Sequence, residues 1–313
     1  MAYYLGIDTS NYTTSAAIYD SASGEVRQVK RLLPVKSGAR GLRQSDAVFH
    51  HTAQLPGVLD ELFSDFGGTI SAIGVSDAPR RVEGSYMPCF LVGVSAAVSA
   101  GRVNGLPIHK FSHQQGHIMA ALHSCGRKDL YNKRFLAFHV SGGTTELLLC
   151  EPGIDARAVA ATTDLNAGQA VDRVGVSLGY PFPAGKYLDE LASASGKRVS
   201  VKVKLKDGCC SFSGLENKCA GMLSEGSSPE AISAFCLGYI ASALDAMADF
   251  AAERYGRLPL VFSGGVMSSR YIRTALENGE GRLFAAPEFS ADNAAGTAVL
   301  AAVRTEGDGI ENS

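Results

Sequence analysis

Two histidines four residues apart have the clearest chemical potential in this sequence. His113 and His117 stand at the two ends of the segment HQQGH. Residues at i and i+4 share one face of a helix, so both imidazoles can bind a single metal ion. The residue after His113 is Gln114, which excludes the HExxH motif of metalloproteases. A metal site and a pair of ordinary polar histidines explain this spacing equally well.

Two glycine-rich turns are candidates for binding a phosphate or a nucleotide. One, VSGGTT at residues 140–145, lies between two apolar runs. The other, SGGV at residues 263–266, follows an apolar run and precedes a predicted helix. Backbone N–H groups in glycine-rich turns and at helix N-termini can bind anions. Tight turns need glycine in any case, so each signal is weak by itself.

A carboxylate near the end of the sequence could complete the metal site. Asp292 opens the small-residue segment DNAAGTAVLAAV, which predicts a helix over 292–303. An aspartate at the start of a helix is a favourable N-cap, and this explains it without a metal. The alternative is that Asp292 is a third ligand beside the two histidines.

The elements that position these residues form two similar halves. Each half opens with an apolar strand, a turn rich in Ser and Thr, and another apolar strand, first at residues 3–20 and again at 134–153. Alternating strands and helices predict an α/β protein with a duplicated α/β domain. Its lobes are 1–130 and 131–313, and the last helix could pack back on the first lobe. Helices are predicted over 44–66, 91–103 and 231–255, and the first of them is expected to kink or restart at Pro56. Further strands are predicted over 258–262 and 281–284.

One segment alternates basic and apolar residues. KRVSVKVKLK, residues 197–206, has period two over most of its length, which predicts a strand with one basic face. The simpler interpretation is a solvated edge strand that uses lysine against aggregation. The alternative is a surface that contacts nucleic-acid phosphates, with Arg80 and Arg81 as a second basic candidate.

Composition limits the class of protein. The 313 residues carry a formal net charge of −2, so any contact with nucleic acid must be local. Seven cysteines at irregular spacing, with no CxxC pair, predict reduced thiols and a cytoplasmic location. The first residues do not resemble a signal segment, and no apolar run is expected to cross a membrane.

Taken in order, the segments of this chain resemble the TsaD family of tRNA threonylcarbamoyladenosine synthases, once described as glycoproteases. The similarity extends from Gly6 to about Val303. It is carried by GIDTSNYTTSAAI, LVGVSAAVSAG, HQQGH, HVSGGTTEL, AGQAVDRVGVSLGYPFPAGKYLDELA, SFSGLENK, FSGGV and SADNAAG. The order and spacing of so many segments are much more specific than any one of them.

The resemblance implies a fold, a reaction and a set of partners. The fold is the two-lobed ASKHA (actin, Hsp70 and sugar kinase) architecture with a central nucleotide cleft. The reaction transfers threonylcarbamoyl from threonylcarbamoyl-AMP to N6 of an adenosine in tRNA, with partner proteins of the same modification machinery and no membrane. The implied ligands of one divalent metal ion, iron or zinc or else magnesium, are His113, His117 and Asp292.

The resemblance also implies a binding site for the adenine nucleotide. Asp172 falls on the acidic residue that holds the ribose, and one carboxylate can accept hydrogen bonds from both ribose hydroxyls. The implied set comprises His139, Val140, Ser141, Gly142, Gly143, Asp172, Gly185, Asp189, Gly264, Gly265 and Ser269.

Several positions depart from the family pattern. The first turn, usually SCDET, is SNYTT at residues 10–14 and lacks two acidic residues. The family's DDAxGE is DLNAGQ at 164–169, its PGGP is PAGK at 183–186, and an Asn of the family is Ser269. The segment at 41–50, GLRQSDAVFH, replaces GGVVPELASRxH. These departures indicate a divergent member or paralogue.

Three functions stay open from the sequence. The first is metal-dependent threonylcarbamoyl transfer to tRNA, the second is carbamoyl transfer to another acceptor, and the third is a nucleotide-binding scaffold without turnover. The retained metal triad favours an enzyme, whereas the altered first turn favours the scaffold. A protease is disfavoured because the chain shows no nucleophile–base motif. A sugar kinase is disfavoured because it has no use for the histidine pair.

Overall fold

The computed structural model describes residues 2–10, 12–34, 42–290 and 294–311, the side chains of 308–311 excepted. The chain divides into two compact units, Met1–Lys128 with Ala291–Ser313, and Asp129–Ser290. Asp292, the third predicted metal ligand, lies outside the described residues. The last helix belongs to the first unit, as the sequence-based division allowed.

The first unit is built on a mixed sheet in the order β3-β2-β1-β4-β5. Its strands are β1 (Tyr3–Asp8), β2 (Thr13–Asp20), β3 (Val26–Leu32), β4 (Ile70–Ala78) and β5 (Ile108–Ser112). The first three strands pair antiparallel, and β4 and β5 extend the sheet in parallel from β1. The first two strands are the strand–turn–strand unit that the sequence predicted. Their small and aliphatic residues are buried almost throughout, which accounts for the apolar pattern.

Glycines allow one helix to approach this sheet closely. The helices of the unit are α1 (Gln44–Phe63), α2 (Phe90–Asn104), α3 (His113–Ser124) and α9 (Ala295–Glu311). A Cβ at Gly6 of β1 would lie 2.4 Å from the carbonyl oxygen of Ala294, and one at Gly74 of β4 would lie 2.4 Å from that of Thr297. The start of the last helix is therefore held directly against the two central strands.

The second unit repeats the same sheet topology. Its strands are β6 (Phe135–Val140), β7 (Thr145–Glu151), β8 (Asp155–Ala161), β9 (Leu260–Ser263) and β10 (Arg282–Phe284). Their order is β10-β9-β6-β7-β8, with three antiparallel strands followed by two that run parallel to the first of them. Because both sheets place their strands in the same relative order, the duplication predicted from the sequence is confirmed.

Helices cover the second sheet and contribute most of the hydrophobic core of the second unit. They are α4 (Ala167–Ser177), α5 (Gly185–Ala194), α6 (Ser213–Ser224), α7 (Pro229–Tyr255) and α8 (Arg270–Leu276). By length and composition α7 could cross a membrane, contrary to the sequence-based expectation, but 67% of its most apolar stretch is buried inside the protein. Its apolar character is thus accounted for by its central position in the core.

The helix predicted over 44–66 does not restart at Pro56. That residue lies inside the continuous helix α1. A proline removes one helical hydrogen bond, but burial of Leu55, Val58 and Leu62 on the sheet-facing side stabilises the helix across it.

The segment 197–206 does not form the predicted strand, although its side chains alternate between half-buried and exposed as the sequence pattern predicted. The segment is extended, and within the described residues its only β-pairing is an isolated bridge between Lys206 and Cys209. Its valines and Leu205 are half-buried against the core, while Lys202 and Lys204 are exposed. Period-two alternation indicates which side chains are buried. Here they are buried against a helix, and the segment has no neighbouring strand among the described residues.

Candidate functional site

The two histidines of α3 face one another. Ser112 is the N-cap of this helix, where its hydroxyl accepts a hydrogen bond from the Gln115 amide and its own amide donates to the Gln115 side chain. This capping box fixes the first turn, from which His113 projects. One turn later His117 lies on the same face, and the two Nε2 atoms are 2.8 Å apart. The predicted i,i+4 arrangement is therefore present.

A buried aspartate from β1 orients the first of these rings. The Asp8 side chain is 1% exposed, and its Oδ2 lies 2.8 Å from Nδ1 of His113. Ser76 Oγ and the Ser10 amide also donate to the carboxylate. Burial alone would raise the pKa of Asp8, but the charge and hydrogen bond of His113, with those two donors, lower it to about 2. The sequence analysis missed this residue, although an aspartate that ends an apolar strand was a usable signal.

The donor set fits a transition metal. When His113 is neutral and donates from Nδ1 to Asp8, its lone pair lies on Nε2, the atom that faces His117. A carboxylate behind a ligating histidine is the usual outer partner at zinc and iron sites. Within the described ranges, which exclude Asp292, no group of three His, Cys, Asp or Glu residues is gathered around a metal position. Its third ligand stays a prediction.

Close packing of two helices fixes the backbone around the histidines. Gly116 lies between them in sequence, and a Cβ at Gly296 of α9 would lie 1.8 Å from the Gly116 carbonyl oxygen. The two helices can cross at this distance only because both positions are glycine. The HQQGH segment and the start of α9 therefore form one packed structural element.

A pocket of ≈ 420 Å³ in the second unit gathers many of the predicted nucleotide-binding residues. Six of them line it: Gly142, Asp172, Gly185, Asp189, Gly265 and Ser269. The remaining wall includes Gly168, Val171, Pro183, Lys186, Leu237, Val266, Ser268 and Ile272, which the sequence analysis did not assign. A pocket with glycine and aliphatic walls and a few carboxylates suits a flat base attached to a polyhydroxyl sugar.

The other predicted residues are not among those lining the pocket. Val140 is buried, and a Cβ at Gly264 would lie 2.3 Å from its carbonyl oxygen, so the turn after β9 lies directly against the end of β6. The φ of Gly264 is +99°, a conformation that favours glycine. His139 is half-buried in β6 beside this contact.

The turn after β6 is closed by hydrogen bonds to the side chain of Ser141, its first residue. Ser141 Oγ accepts hydrogen bonds from the amides of Gly143 and Thr144. These two amides are therefore engaged within the turn, contrary to the expectation that they face an anion. Gly142 is the member that lines the pocket, and it packs against Gly168 of α4, where a Cβ would lie 2.6 Å from its nitrogen.

One carboxylate oxygen of Asp172 is positioned to bind a ligand. It projects from α4, and its Oδ1 accepts a hydrogen bond from the Ala184 amide at 2.8 Å. This bond fixes the side chain against the turn that leads into α5. Oδ2 has no hydrogen-bond partner among the described residues, so it can accept from a hydroxyl in the pocket.

Asp189 has a structural function as well as a place in the pocket wall. Its carboxylate accepts hydrogen bonds from Ser269 Oγ at 2.5 Å, from the Tyr271 amide at 3.0 Å and from the Arg270 amide at 3.2 Å. Ser269 is in turn the N-cap of α8 and accepts from the Ile272 amide. The serine that replaces the family's asparagine is thus a helix cap tied to α5.

A histidine of α1 that the sequence analysis missed, His51, is held by a chain of hydrogen bonds. Gln54 donates from Nε2 to the Leu32 carbonyl and accepts at Oε1 from the Thr14 hydroxyl. Since that hydroxyl gives its proton to Gln54, its contact of 2.8 Å with Nδ1 of His51 requires the ring to donate. Nε2 of His51 then carries the lone pair, and it is buried without a partner in the described part of the chain.

Comparison with known proteins identifies the family. The model of the TsaD family, tRNA N6-adenosine threonylcarbamoyltransferase, matches residues 36–299. This chain belongs to the TsaD family. The tRNA N6-adenosine threonylcarbamoyltransferase of Bacillus licheniformis is 31% identical over 291 residues, which is 88% of this chain and 82% of that protein. The Geobacillus thermodenitrificans protein of the same name is 30% identical over 292 residues, with the same coverage. TsaD proteins are transferases.

Solved structures show the fold of the TsaD chain. HypF of T. kodakarensis has a TM-score of 0.62 at 13% identity, covering 98% of this chain and 48% of that one. Component A of (R)-2-hydroxyglutaryl-CoA dehydratase from Acidaminococcus fermentans has a TM-score of 0.58 at 18% identity, covering 98% and 100%. At such identities the likeness concerns the fold alone, and it is the ASKHA fold predicted from the sequence.

Proposed function

We propose that this protein transfers a threonylcarbamoyl group from threonylcarbamoyl-AMP to N6 of an adenosine in tRNA. The observation that carries the proposal is the His113–His117 pair held by Asp8 in a chain of the TsaD family. A protein that kept the family fold only as a scaffold would gain nothing from a buried carboxylate that orients a ligating imidazole. The proposal includes a divalent metal at this pair, with Asp292 as third ligand, and partner proteins.

The proposed donor is a mixed anhydride of a carbamic acid and AMP. In the reaction, the adenosine N6 attacks the carbamoyl carbon and forms a C–N bond. The C–O bond to the phosphate breaks, AMP leaves with the electron pair, and N6 releases a proton. A bound metal would supply a Lewis acid for the oxygens of the anhydride.

Residues of the second unit would bind the AMP part. Asp172 offers Oδ2 to the ribose hydroxyls while its other oxygen is fixed by the Ala184 amide. Gly142, Gly168 and Gly265 give walls without side chains, so that a sugar or base can lie against the backbone. The aliphatic side of the same pocket would cover the base.

The function can be tested by measuring AMP release from threonylcarbamoyl-AMP. Release that requires unmodified tRNA, and that is lost in His113→Ala/His117→Ala, is the expected result. Release that proceeds equally with a small amine, or from the plain carbamoyl adenylate, would favour a different acceptor or donor. No release with tRNA and the partner proteins present would favour the scaffold.

A further inference from the structure

The extended segment 197–206 carries basic side chains that have no ion-pair partner among the described residues. We propose that this basic strap, defined as Lys197, Arg198, Lys202, Lys204 and Lys206, contacts the phosphate backbone of tRNA. The inference rests on the proposed tRNA-directed function and adds to it a surface that binds the acceptor.

The strap is held rigidly by its apolar side. The Val199 amide donates to the Tyr271 hydroxyl at 2.9 Å, and the Val201 amide donates to Ser242 Oγ of α7 at 3.2 Å. A Cβ at Gly238 of α7 would lie 2.4 Å from the Val199 carbonyl oxygen, so the backbone lies directly on this helix. The inward-facing side chains are therefore anchored, which fixes the direction of those that face out.

The outward face presents positive charges at regular intervals. Lys202, Lys204 and Lys206 are exposed and alternate with half-buried aliphatic residues. In an extended chain, alternate residues lie about 6.6 Å apart. This interval is close to the separation of successive phosphates in a nucleic-acid strand, so neighbouring lysines can each meet one phosphate.

Most other cations of the second unit have a partner, which the strap residues lack among the described residues. In the described chain, all cations elsewhere in this unit except two pair with carboxylates or lie over aromatic rings. The carboxylate pairs use Lys133, Arg134, Arg173, Lys186, Arg257 and Arg282, and the ring contacts use Arg157, Arg254 and Arg273. Among the residues that the structure describes, no such partner is found for the five strap residues or for Lys218 and Arg270. A purely solvated edge would not require this segregation.

A pocket beside the start of the strap extends the positive surface. It has a volume of ≈ 230 Å³, and its lining includes Lys197, Arg198, Arg270 and Thr274. Three cations and a hydroxyl around one concavity suit a phosphate group rather than an acidic side chain on a flat protein surface. The five strap cations, which have no partner among the described residues, lie together here with Arg270, and this favours a polyanion as the partner.

The proposal can be tested by binding of unmodified tRNA to the full-length chain over a series of salt concentrations. The test variant is Lys202→Ser/Lys204→Ser/Lys206→Ser, and the control is Lys30→Ser/Lys110→Ser/Lys133→Ser, which removes the same charge from other exposed sites. If each strap lysine neutralises one phosphate, the slope of log affinity against log salt falls by about 2 in the test variant. Because each unit of slope is a factor of ten at ~0.1 M salt, its affinity there falls by about 100-fold or more. The control variant should bind like the wild type.

Three results would contradict the proposed tRNA-binding surface. One is an unchanged slope and affinity in the test variant, as expected if the strap only prevents aggregation or contacts a protein. Another is an equal loss in both variants, which would indicate net charge rather than a site. The third is the absence of wild-type binding in ~0.05 M salt.

The surface and the proposed reaction can fail separately. Strap-dependent tRNA binding without any modified nucleoside would keep the surface and reject the transfer reaction. Product formation by the test variant with an unchanged KM for tRNA would keep the reaction and reject the surface. The expected result is a raised KM for tRNA with kcat little changed, since the strap residues are not among those assigned to the reaction.

Discussion

The carboxylate of Asp8 lies 2.8 Å from Nδ1 of His113, although 105 residues separate the two in sequence. This contact joins the end of the first strand to the helix that carries both histidines. It gives the aspartate a defined function in the proposed metal site, which is to hold one imidazole in the ligating tautomer.

Substitution Asp8→Asn should weaken metal binding without removing a ligand. An asparagine can still meet Nδ1 of His113 but lacks the charge, so we expect metal affinity to fall by about 10- to 100-fold. Calorimetric titration of the metal-free protein with zinc measures this. Asp20→Asn, an aspartate of the second strand, is the control. Equal affinity in the Asp8 variant, with the fold intact by circular dichroism, would show that this contact does not support a metal.

Substitution Asp172→Asn should weaken nucleotide binding more than it weakens the fold. The amide oxygen can keep the bond from Ala184, while the charged acceptor for the ribose is lost. Charged hydrogen bonds are worth about 1.5–3 kcal/mol, so AMP affinity should fall by about 10- to 100-fold. By contrast, Asp189→Asn should lower both the affinity for AMP and the melting temperature, because it disrupts the hydrogen bonds at the start of α8. An Asp172 variant that binds AMP like the wild type would remove this residue from the site.

Asp164, the aspartate that the segment DLNAGQ retains from the family motif, has a structural function. Its carboxylate accepts from the amides of Leu165 and Phe212 and from the Ser211 hydroxyl, which ties the start of α4 to the start of α6. Burial would raise its pKa, but the hydrogen bonds, led by Ser211, hold the pKa well below the usual range. The carboxylate is thus a fixed structural anchor.

The stability conferred by Asp164 should depend on pH. Because the folded-state pKa is depressed, the stabilisation is present above the unfolded pKa of about 3.9 and is lost as pH falls below it. Since the residue is exposed, we expect Asp164→Asn to cost about 1–2 kcal/mol at pH 7 and little near pH 2. Urea unfolding at several pH values, with Asp155→Asn as control, measures the difference. A cost that stayed constant down to pH 2 would contradict the assignment.

His51 should make the fold sensitive to mild acid. Burial lowers its pKa to about 4, and the nearby Asp8 offsets this only in part. The unfolded chain, with a pKa of about 6.5, binds the proton first, so stability is complete above pH 6.5 and falls as pH decreases towards 4. We expect a loss of about 1–3 kcal/mol that is absent in His51→Gln and retained in His50→Gln. Equal pH profiles in all three proteins would show that His51 titrates as in the unfolded chain.

The sequence predicted the elements whose pattern is local. The paired hairpin units, the small-residue helices and the i,i+4 histidines were all visible because their signals lie within a few residues. The glycine turns were visible too, but that Ser141 uses two amides of its own turn depends on side-chain geometry. Asp189 was assigned to the nucleotide, whereas its capping contacts with α8 lie 80 residues or more away in sequence.

The segment 197–206 shows a different limit of sequence pattern. Alternation of lysine with valine indicates which side chains are buried, but it does not indicate what buries them. Gly238 and Ser242 on a helix provide that surface, so the segment is extended without being part of a sheet. Asp8 and His51 were missed for a related reason, because their function depends on partners from distant strands and helices.

The central claim is that this member of the TsaD family remains a transferase despite its altered first turn. The most direct measurement is incubation with threonylcarbamoyl-AMP, unmodified tRNA and the partner proteins, followed by mass spectrometry of the tRNA nucleosides. We predict threonylcarbamoyladenosine with the wild-type protein and none with His113→Ala/His117→Ala. Product that is absent with the wild type, or equally abundant with the double variant, would contradict the claim.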